Sequence, residues 1–331
     1  MKIVIPGGSG HIGQLLAKSL LACGEQVVII SRNMPDLVLE DKSELLEFCH
    51  WDGRTEGDWM DHIDGSDLVV NLAGRSVNCR YNEANRKEIT ESRVLSTQLV
   101  GKAIAKAKKP PECWMQMSTA TLYEHRYDKA NDEIDGIIGG SDPKQPSAWN
   151  FSYDVVKAWE KAVDDVEVPG TRKIKLRTSI LMSPGEGGPF DVLLRLVRMG
   201  LGGTMGNGKQ YISWISDHDF VKGILFCLLF RDIEGPVNFA SPGALPNAEF
   251  MQILREVWGA KFGLPATEWM LEIGALLLQT ETELILKSRR VAPGRLLEAG
   301  FEFDFPEWRG AAEELVRRWR LLEEHEANGS A

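Results

Sequence analysis

Tyr153 and Lys157 lie four residues apart in an amphipathic stretch, a spacing that puts a phenol and an ammonium on one face of a helix, one turn apart. The ammonium favours the phenolate, which makes Tyr153 a candidate general acid/base. Ser118 and Thr119 close an apolar run upstream, and a hydroxyl there can orient a carbonyl or an alcohol. A proton acceptor and a substrate-orienting hydroxyl suit hydride transfer, which requires a carrier, and the segment that would hold one opens the chain. In Lys2-Ile3-Val4-Ile5-Pro6-Gly7-Gly8-Ser9-Gly10-His11-Ile12-Gly13, an apolar run breaks into a glycine-rich turn before a helical pattern begins. Gly7 allows a tight turn, Gly10 allows backbone to approach a pyrophosphate, and Gly13 lets the helix pack on the strand. The amides at the helix start then receive the negative charge. Lys157 is also placed to hold the nicotinamide ribose.

These groups must be positioned by a sheet. Ile3–Ile5 reads as its first strand, followed by a helix with Ile12, Leu15, Leu16 and Leu20 on one face. Gln26–Ile30 is a second strand, ending at Ser31-Arg32-Asn33. The acid that holds a ribose 2′-hydroxyl in NAD sites is missing there, and Arg32 is suited to a 2′-phosphate, so NADP (NADPH) is favoured over NAD. Phe48–Asp52 is a third strand, ending beside the adenine. Asp67–Gly74 is a fourth, running into small residues. A helix from Asn82 to Lys109 ends at Pro110-Pro111. Cys113–Ser118 is the fifth strand, Phe151–Val166 a helix, and Ile174–Leu181 the sixth strand, while polar 128–147 reads as a surface loop. This alternation predicts an α/β fold with a doubly wound, mostly parallel sheet whose ligands sit at the strands' carboxyl ends. The pattern loosens after Ser183-Pro184-Gly185. The expected division is residues 1–185, with part of 210–245 returning, and a smaller C-terminal substrate lobe over 186–331.

Composition narrows the function classes. The 331 residues suffice for a large core, and the net charge of −10 argues against a nucleic-acid partner. The five cysteines form no CxxC pair and read as thiols of a reducing compartment. Ile224–Phe230, the longest apolar run, is too short to span a bilayer, so neither a membrane nor a signal peptide is expected and the location reads as cytoplasmic. The six histidines show no ligand spacing, and no metal is expected.

Gly7/Gly10/Gly13, Asn71-Leu72-Ala73-Gly74, Ser118-Thr119-Ala120-Thr121, Tyr153/Lys157 and Arg177, in this order, resemble an extended short-chain dehydrogenase/reductase with a Rossmann sheet. Further blocks resemble the atypical NAD-dependent epimerase/dehydratase, or sugar-nucleotide epimerase-like, proteins. They are Ile89–Val94, Gly202–Gly208, Ser213–Asp219 and Val291–Phe301, the last inside a short C-terminal domain expected at about 248–320. The resemblance implies cofactor contacts from Gly7, Ser9, Gly10, His11, Ile12, Ser31, Arg32, Asp52, Leu72, Ala73, Gly74, Arg93 and Lys157, with Ser118 and Gly13 beside them. It implies a small-molecule substrate of the nucleotide-sugar class. The assembly is a monomer or a homodimer, and extended relatives pair through the helices at 82–109 and 151–166. The chain departs from the pattern at Ser216, where relatives place a histidine, and at Glu124, where a glycine often follows the tyrosine.

Arg80-Tyr81, Tyr211 and Trp214 either line a substrate cleft or pack loops. The favoured reading is an NADP(H)-dependent oxidoreductase or epimerase in which Thr119 orients the substrate, Tyr153 transfers the proton and Lys157 tunes it. The alternative is a catalytically silent NADP-binding sensor or scaffold, since the resemblance reaches proteins with incomplete catalytic sets.

Overall fold

The computed structural model of the chain describes residues 1–35, 43–140, 143–277 and 281–329. In chain order its first elements are β1 (Lys2–Pro6), α1 (His11–Ala22), β2 (Gln26–Ser31), β3 (Leu46–His50), β4 (Leu68–Asn71), α2 (Glu83–Lys106), β5 (Cys113–Thr119), α3 (Ser147–Asp164) and β6 (Arg172–Thr178). There follow β7 (Ile180–Met182), α4 (Pro189–Arg198), β8 (Tyr211–Ile212), β9 (Trp214–Ser216), α5 (Asp217–Leu229), β10 (Gly235–Phe239), β11 (Leu245–Pro246) and α6 (Asn247–Trp258). The last helices are α7 (Glu268–Leu277), α8 (Glu283–Leu286), α9 (Gly294–Glu298) and α10 (Trp308–Gly329). The chain divides into two units, one of residues 1–122, 140–177 and 224–237, the other of 123–139, 178–223 and 238–331.

The first unit is built on a seven-stranded sheet of order β10-β6-β5-β4-β1-β2-β3. The β1 register, Ile3 opposite Val27 and Leu68, is parallel on both sides, as are β2 with β3 and β4 with β5. The order reverses on either side of β1, so this is the doubly wound Rossmann sheet expected from the alternation, with its ligand edge at the carboxyl ends. β1 and β4 are apolar without alternation because both faces are covered. Val4, Val28 and Val69 pack with Val100, Ile104 and Trp114 on one side. Asn82 caps α2 by accepting from the Asn85 amide at 2.9 Å, which sets that helix's start.

The expected sixth strand is broken. β6 belongs to the large sheet, but at Ser179 the chain changes partners: the Ser179 amide donates to Phe239 O and the Ile180 amide to Ser213 O. β7 then pairs with β9 in a separate two-stranded sheet. Pairing partners, which local apolar pattern does not encode, decide the break.

The second unit has an aromatic core. Phe250 stacks on Trp308 at 4.0 Å, Trp214 meets Trp308 edge-on at 5.1 Å, and the Trp308 indole donates to Phe250 O. The acids of the 213–219 block are structural. Asp217 accepts both ends of the Arg318 guanidinium, and buried Asp219 accepts the Asp304 and Phe305 amides. The expected surface loop is in part tied down: Asn131 is buried, and its backbone pairs with Arg290 O and the Ala292 amide. No helix among the described residues is long and apolar enough to cross a membrane.

Candidate functional site

The turn after β1 is shaped by close approach. Gly7 has φ +81°, and a Cβ there would lie 2.5 Å from the Ala73 amide nitrogen, so the bend and the end of β4 are in backbone contact. A Cβ at Gly13 would lie 2.5 Å from Gly8 Cα, so this glycine seats α1 on the turn itself. The third position is different: a Cβ at Gly10 would meet only Gly7 O, at 3.5 Å, leaving room over the helix start. Gly10 is the N-cap of α1 and supplies no side-chain acceptor, and no acidic residue stands in the first turn. A helix start whose N-cap brings no side chain of its own, with open space before it, fits a pyrophosphate.

The other cofactor-side residues take distinct places. Ser31 is buried and its hydroxyl donates to Asn33 O, whereas Arg32 is exposed. The Asp52 carboxylate closes a turn by accepting from the Arg54 and Thr55 amides and the Thr55 hydroxyl. The Arg54 amide first, against slight desolvation, holds its pKa below the usual value. Arg93 lies against Gly74, stacks over Trp159 at 4.9 Å, and donates to Arg75 O and Ile89 O at 3.0 Å. Burial brings its pKa down to about 10, still a full cation at neutral pH. Asn71 anchors the 72–74 segment, its side-chain oxygen accepting the Ala73 amide and its amide donating to Gln116.

At the carboxyl end of β5, the Ser118 hydroxyl donates to Glu160 Oε1 at 2.7 Å, so that hydroxyl is committed to the protein. Thr119 is half-buried, and its hydroxyl donates to Thr121 Oγ1 while accepting from the Thr121 amide. α3 packs on β5 and carries Tyr153, fully buried, and Lys157, exposed one turn on. The spacing therefore puts the pair on one stripe with unequal access to water.

Two of the four candidate substrate residues are packing residues. Tyr81 is buried with Ile89 and Val155, edge-on to Phe151 at 5.0 Å, and its carbonyl accepts from Arg86. Trp214 is at the centre of the second unit's core with its indole donating to Gly243 O. Arg80 is half-buried, its carbonyl accepting from Asn85. Tyr211 has its ring under the Arg290 guanidinium at 4.4 Å and lines an open cavity of about 580 Å³ with Tyr127, Asn207 and Lys209.

The family model described as NAD dependent epimerase/dehydratase family matches residues 3–238, and a domain of unknown function, DUF1731, matches 266–315. The chain belongs to the NAD dependent epimerase/dehydratase family. Epimerase family protein SDR39U1 of Homo sapiens is 30% identical over 322 residues, covering 96% of this chain and 100% of that protein. Epimerase family protein YfhF of Bacillus subtilis is 28% identical, covering 96% and 98%. The crystal structure of human SDR39U1 (isoform2) with NADPH superposes with a TM-score of 0.81 at 28% identity, covering 96% of this chain and 99% of that one.

Within this family member, two polar clusters escaped sequence reasoning. Glu160, two turns beyond Tyr153, accepts from both Ser118 and Arg177, and only its place on the apolar stripe of α3 hints at burial. In the second unit, Lys287 and Glu283 are both about fully buried, with Nζ 3.6 Å from Oε1 and Arg289 3.8 Å from the same oxygen. Burial first, then Arg289, brings the Lys287 pKa down to about 7 against the pull of Glu283. The His125 Nδ1 accepts the Ser288 amide beside this group, and its pKa is lowered by burial and by the two cations. The signal available was the i, i+4 spacing of Glu283 and Lys287, which ordinarily marks an exposed helix face.

Proposed function

We propose that the chain is an NADP(H)-dependent oxidoreductase or epimerase acting at a carbinol or carbonyl of a sugar-nucleotide-like or small carbonyl substrate. The observation that carries the reading is the glycine bend: its Gly7–Ala73 backbone contact and the open space over the helix start at Gly10 fit a dinucleotide pyrophosphate. The NADPH held by human SDR39U1, and Arg32 where an acid would select NAD, support the phosphorylated cofactor. Gly7, Ser9, Gly10, His11, Ile12 and Gly13 would hold the pyrophosphate, Arg32 the 2′-phosphate, and Leu72, Ala73 and Gly74 the segment beside it. The nicotinamide, when bound, supplies or accepts the hydride.

The chain's own residues position the substrate and handle the proton. Thr119 orients the substrate oxygen from the end of β5. Tyr153 exchanges a proton with that oxygen through its phenolic oxygen, and the fully buried ring keeps this exchange out of bulk water. Lys157 favours the phenolate and holds the ribose from the exposed side of the same stripe. Five cysteines, none in a disulfide, fit a reducing compartment such as the cytoplasm.

A screen of sugar nucleotides and small carbonyls followed by NADPH absorbance tests the activity, with Tyr153→Phe as the deciding variant. The expected result is loss of turnover with NADPH affinity unchanged. Retained turnover ends the Tyr153 assignment, and no calorimetric binding of NADPH ends the whole reading.

A further inference from the structure

Lys157 and Glu160 stand three positions apart on α3, a spacing at which a lysine and a glutamate on one helix face ordinarily pair. Here they do not. Glu160 turns to β6, where Arg177 donates to both of its oxygens at 2.9 and 2.8 Å. The Ser118 hydroxyl donates to the same carboxylate from the end of β5. Among the described residues Lys157 has no ion pair.

This arrangement fixes a charge count along one stripe of the helix. Tyr153, Lys157 and Glu160 follow at i, i+4 and i+7, with Tyr153 and Glu160 buried and Lys157 exposed. With Glu160 neutralised by Arg177, Lys157 is an uncompensated cation one turn from the phenol, and a phenolate at Tyr153 balances it. Were Glu160 left to Lys157, those two charges would cancel and the phenolate would stand alone. A guanidinium suits the task, since its planar fork satisfies both carboxylate oxygens at once and it keeps its proton. The other charges around α3 are accounted for. Lys175 on β6 is 3.9 Å from Glu160 but is held by Asp164 at 2.9 Å. From α2, Arg86 lies over the Phe151 ring and Arg93 over Trp159. On α3 itself Asp154 follows Tyr153, and Lys161 pairs with Asp165. β5 brings only Cys113, at its far end, and the turn at 120–122 brings none. All of these stay constant when Glu160 or Arg177 is changed.

We propose that Arg177 is a positioning residue for proton transfer: by holding Glu160 it reserves the charge of Lys157 for Tyr153. The inference rests on the assignment of the proton to Tyr153 under the proposed function. It adds to that assignment the group that keeps the neighbouring carboxylate away from Lys157.

A difference titration of the full chain reads this without substrate or cofactor. The phenolate absorbance of each protein, less that of the same protein carrying Tyr153→Phe, gives the midpoint of Tyr153 alone. Seven residues of helix put Glu160 about 10 Å from Tyr153 along the axis, where one uncompensated charge moves that midpoint by roughly 0.3–1 pH unit. Glu160→Gln leaves the Arg177 charge unbalanced and is expected to lower the midpoint by that amount. Arg177→Met leaves the Glu160 charge unbalanced and is expected to raise it. The double variant, with both charges gone, is expected at the wild-type midpoint, and Arg177→Lys close to it. A merely structural tie would move both single variants in one sense or not at all. Shifts of the same sign, no shift, or a phenol silent up to the unfolding pH in every protein overturns the proposal. Should Arg177→Met fail to fold, the fall in Glu160→Gln and its reversal in the double variant decide the matter, since neither leaves a buried carboxylate. Turnover retained in Tyr153→Phe is a separate failure, that of the Tyr153 assignment itself.

Discussion

The Arg177 guanidinium meets the Glu160 carboxylate through two parallel hydrogen bonds, Nε to Oε1 at 2.9 Å and Nη2 to Oε2 at 2.8 Å. Both side chains are about nine-tenths buried, and the Ser118 hydroxyl shares Oε1 from the end of β5. One carboxylate therefore ties β5 and α3, the elements that carry the candidate catalytic residues, to β6. Lys175, 3.9 Å from Oε2, is a weaker second cation.

Removing one partner should cost far more than removing both. Arg177→Leu leaves the Glu160 charge in a dry site with only Lys175 near, and a loss of about 3–5 kcal/mol is expected. Glu160→Leu combined with Arg177→Leu should recover much of it, because both buried charges of the pair are gone and Lys175 keeps Asp164 at 2.9 Å. Urea denaturation of the two single variants and the double closes the cycle, and additive losses would show that the pair is not coupled.

Gly7→Ala should damage the cofactor turn more than a positive φ alone explains. The left-handed conformation costs an alanine about 1–2 kcal/mol, and here the Cβ also runs into the Ala73 backbone at 2.5 Å. Gly24 provides the control, with φ +80° and nothing within 4 Å of its Cβ position. Gly24→Ala is expected to lose stability only by the conformational amount and to keep NADPH affinity. Gly7→Ala is expected to lose both, read by denaturation and calorimetry.

What was legible in the sequence follows from how local each cause is. The glycine bend could be read because every requirement acts within a few residues, and the nearest neighbour of Gly13 is Gly8 in the turn. The strands and the long helices could be read from periodicity, and Asn82 even marks where α2 begins. The break at Ser179 could not, since Ile174–Leu181 is uniformly β-like and only the partners Phe239 and Ser213 divide it. The same holds for 128–140, whose polar composition conceals a buried Asn131 with tertiary partners. Tyr81 and Trp214 show the limit for site residues: an aromatic beside a loop has the same sequence appearance whether it meets a ligand or a neighbour. Glu160 lies seventeen positions from Arg177, a separation that carries no pairing signal.

Arg32→Ala should separate the two nicotinamide cofactors. Arg32 is exposed at the end of β2, and the proposed contact is to the 2′-phosphate alone. Losing a charge-assisted contact of about 1.5–3 kcal/mol weakens NADPH binding by about 10- to 100-fold. NADH affinity is expected to stay unchanged. Calorimetry with both cofactors checks it, and an equal loss for NADH would remove Arg32 from the 2′-phosphate.

Lys287 should leave its mark on the pH dependence of stability. Its pKa falls from 10.5 to about 7 on folding, chiefly because the ammonium is buried. Between these values the unfolded chain binds a proton that the folded chain has released, so stability rises with pH through the window. Cys113 acts in the opposite sense only above its ordinary pKa of 9.0, since burial pushes the folded thiol up to about 12. The interval from pH 7 to 9 therefore isolates the lysine. Lys287→Met keeps the side-chain volume and leaves Arg289 beside Glu283, so the variant should fold without that slope. The stability of wild type relative to Lys287→Met is expected to rise by about 2 kcal/mol from pH 7 to pH 9. Parallel pH profiles for the two proteins, measured by urea denaturation, would mean that Lys287 keeps its proton in the fold.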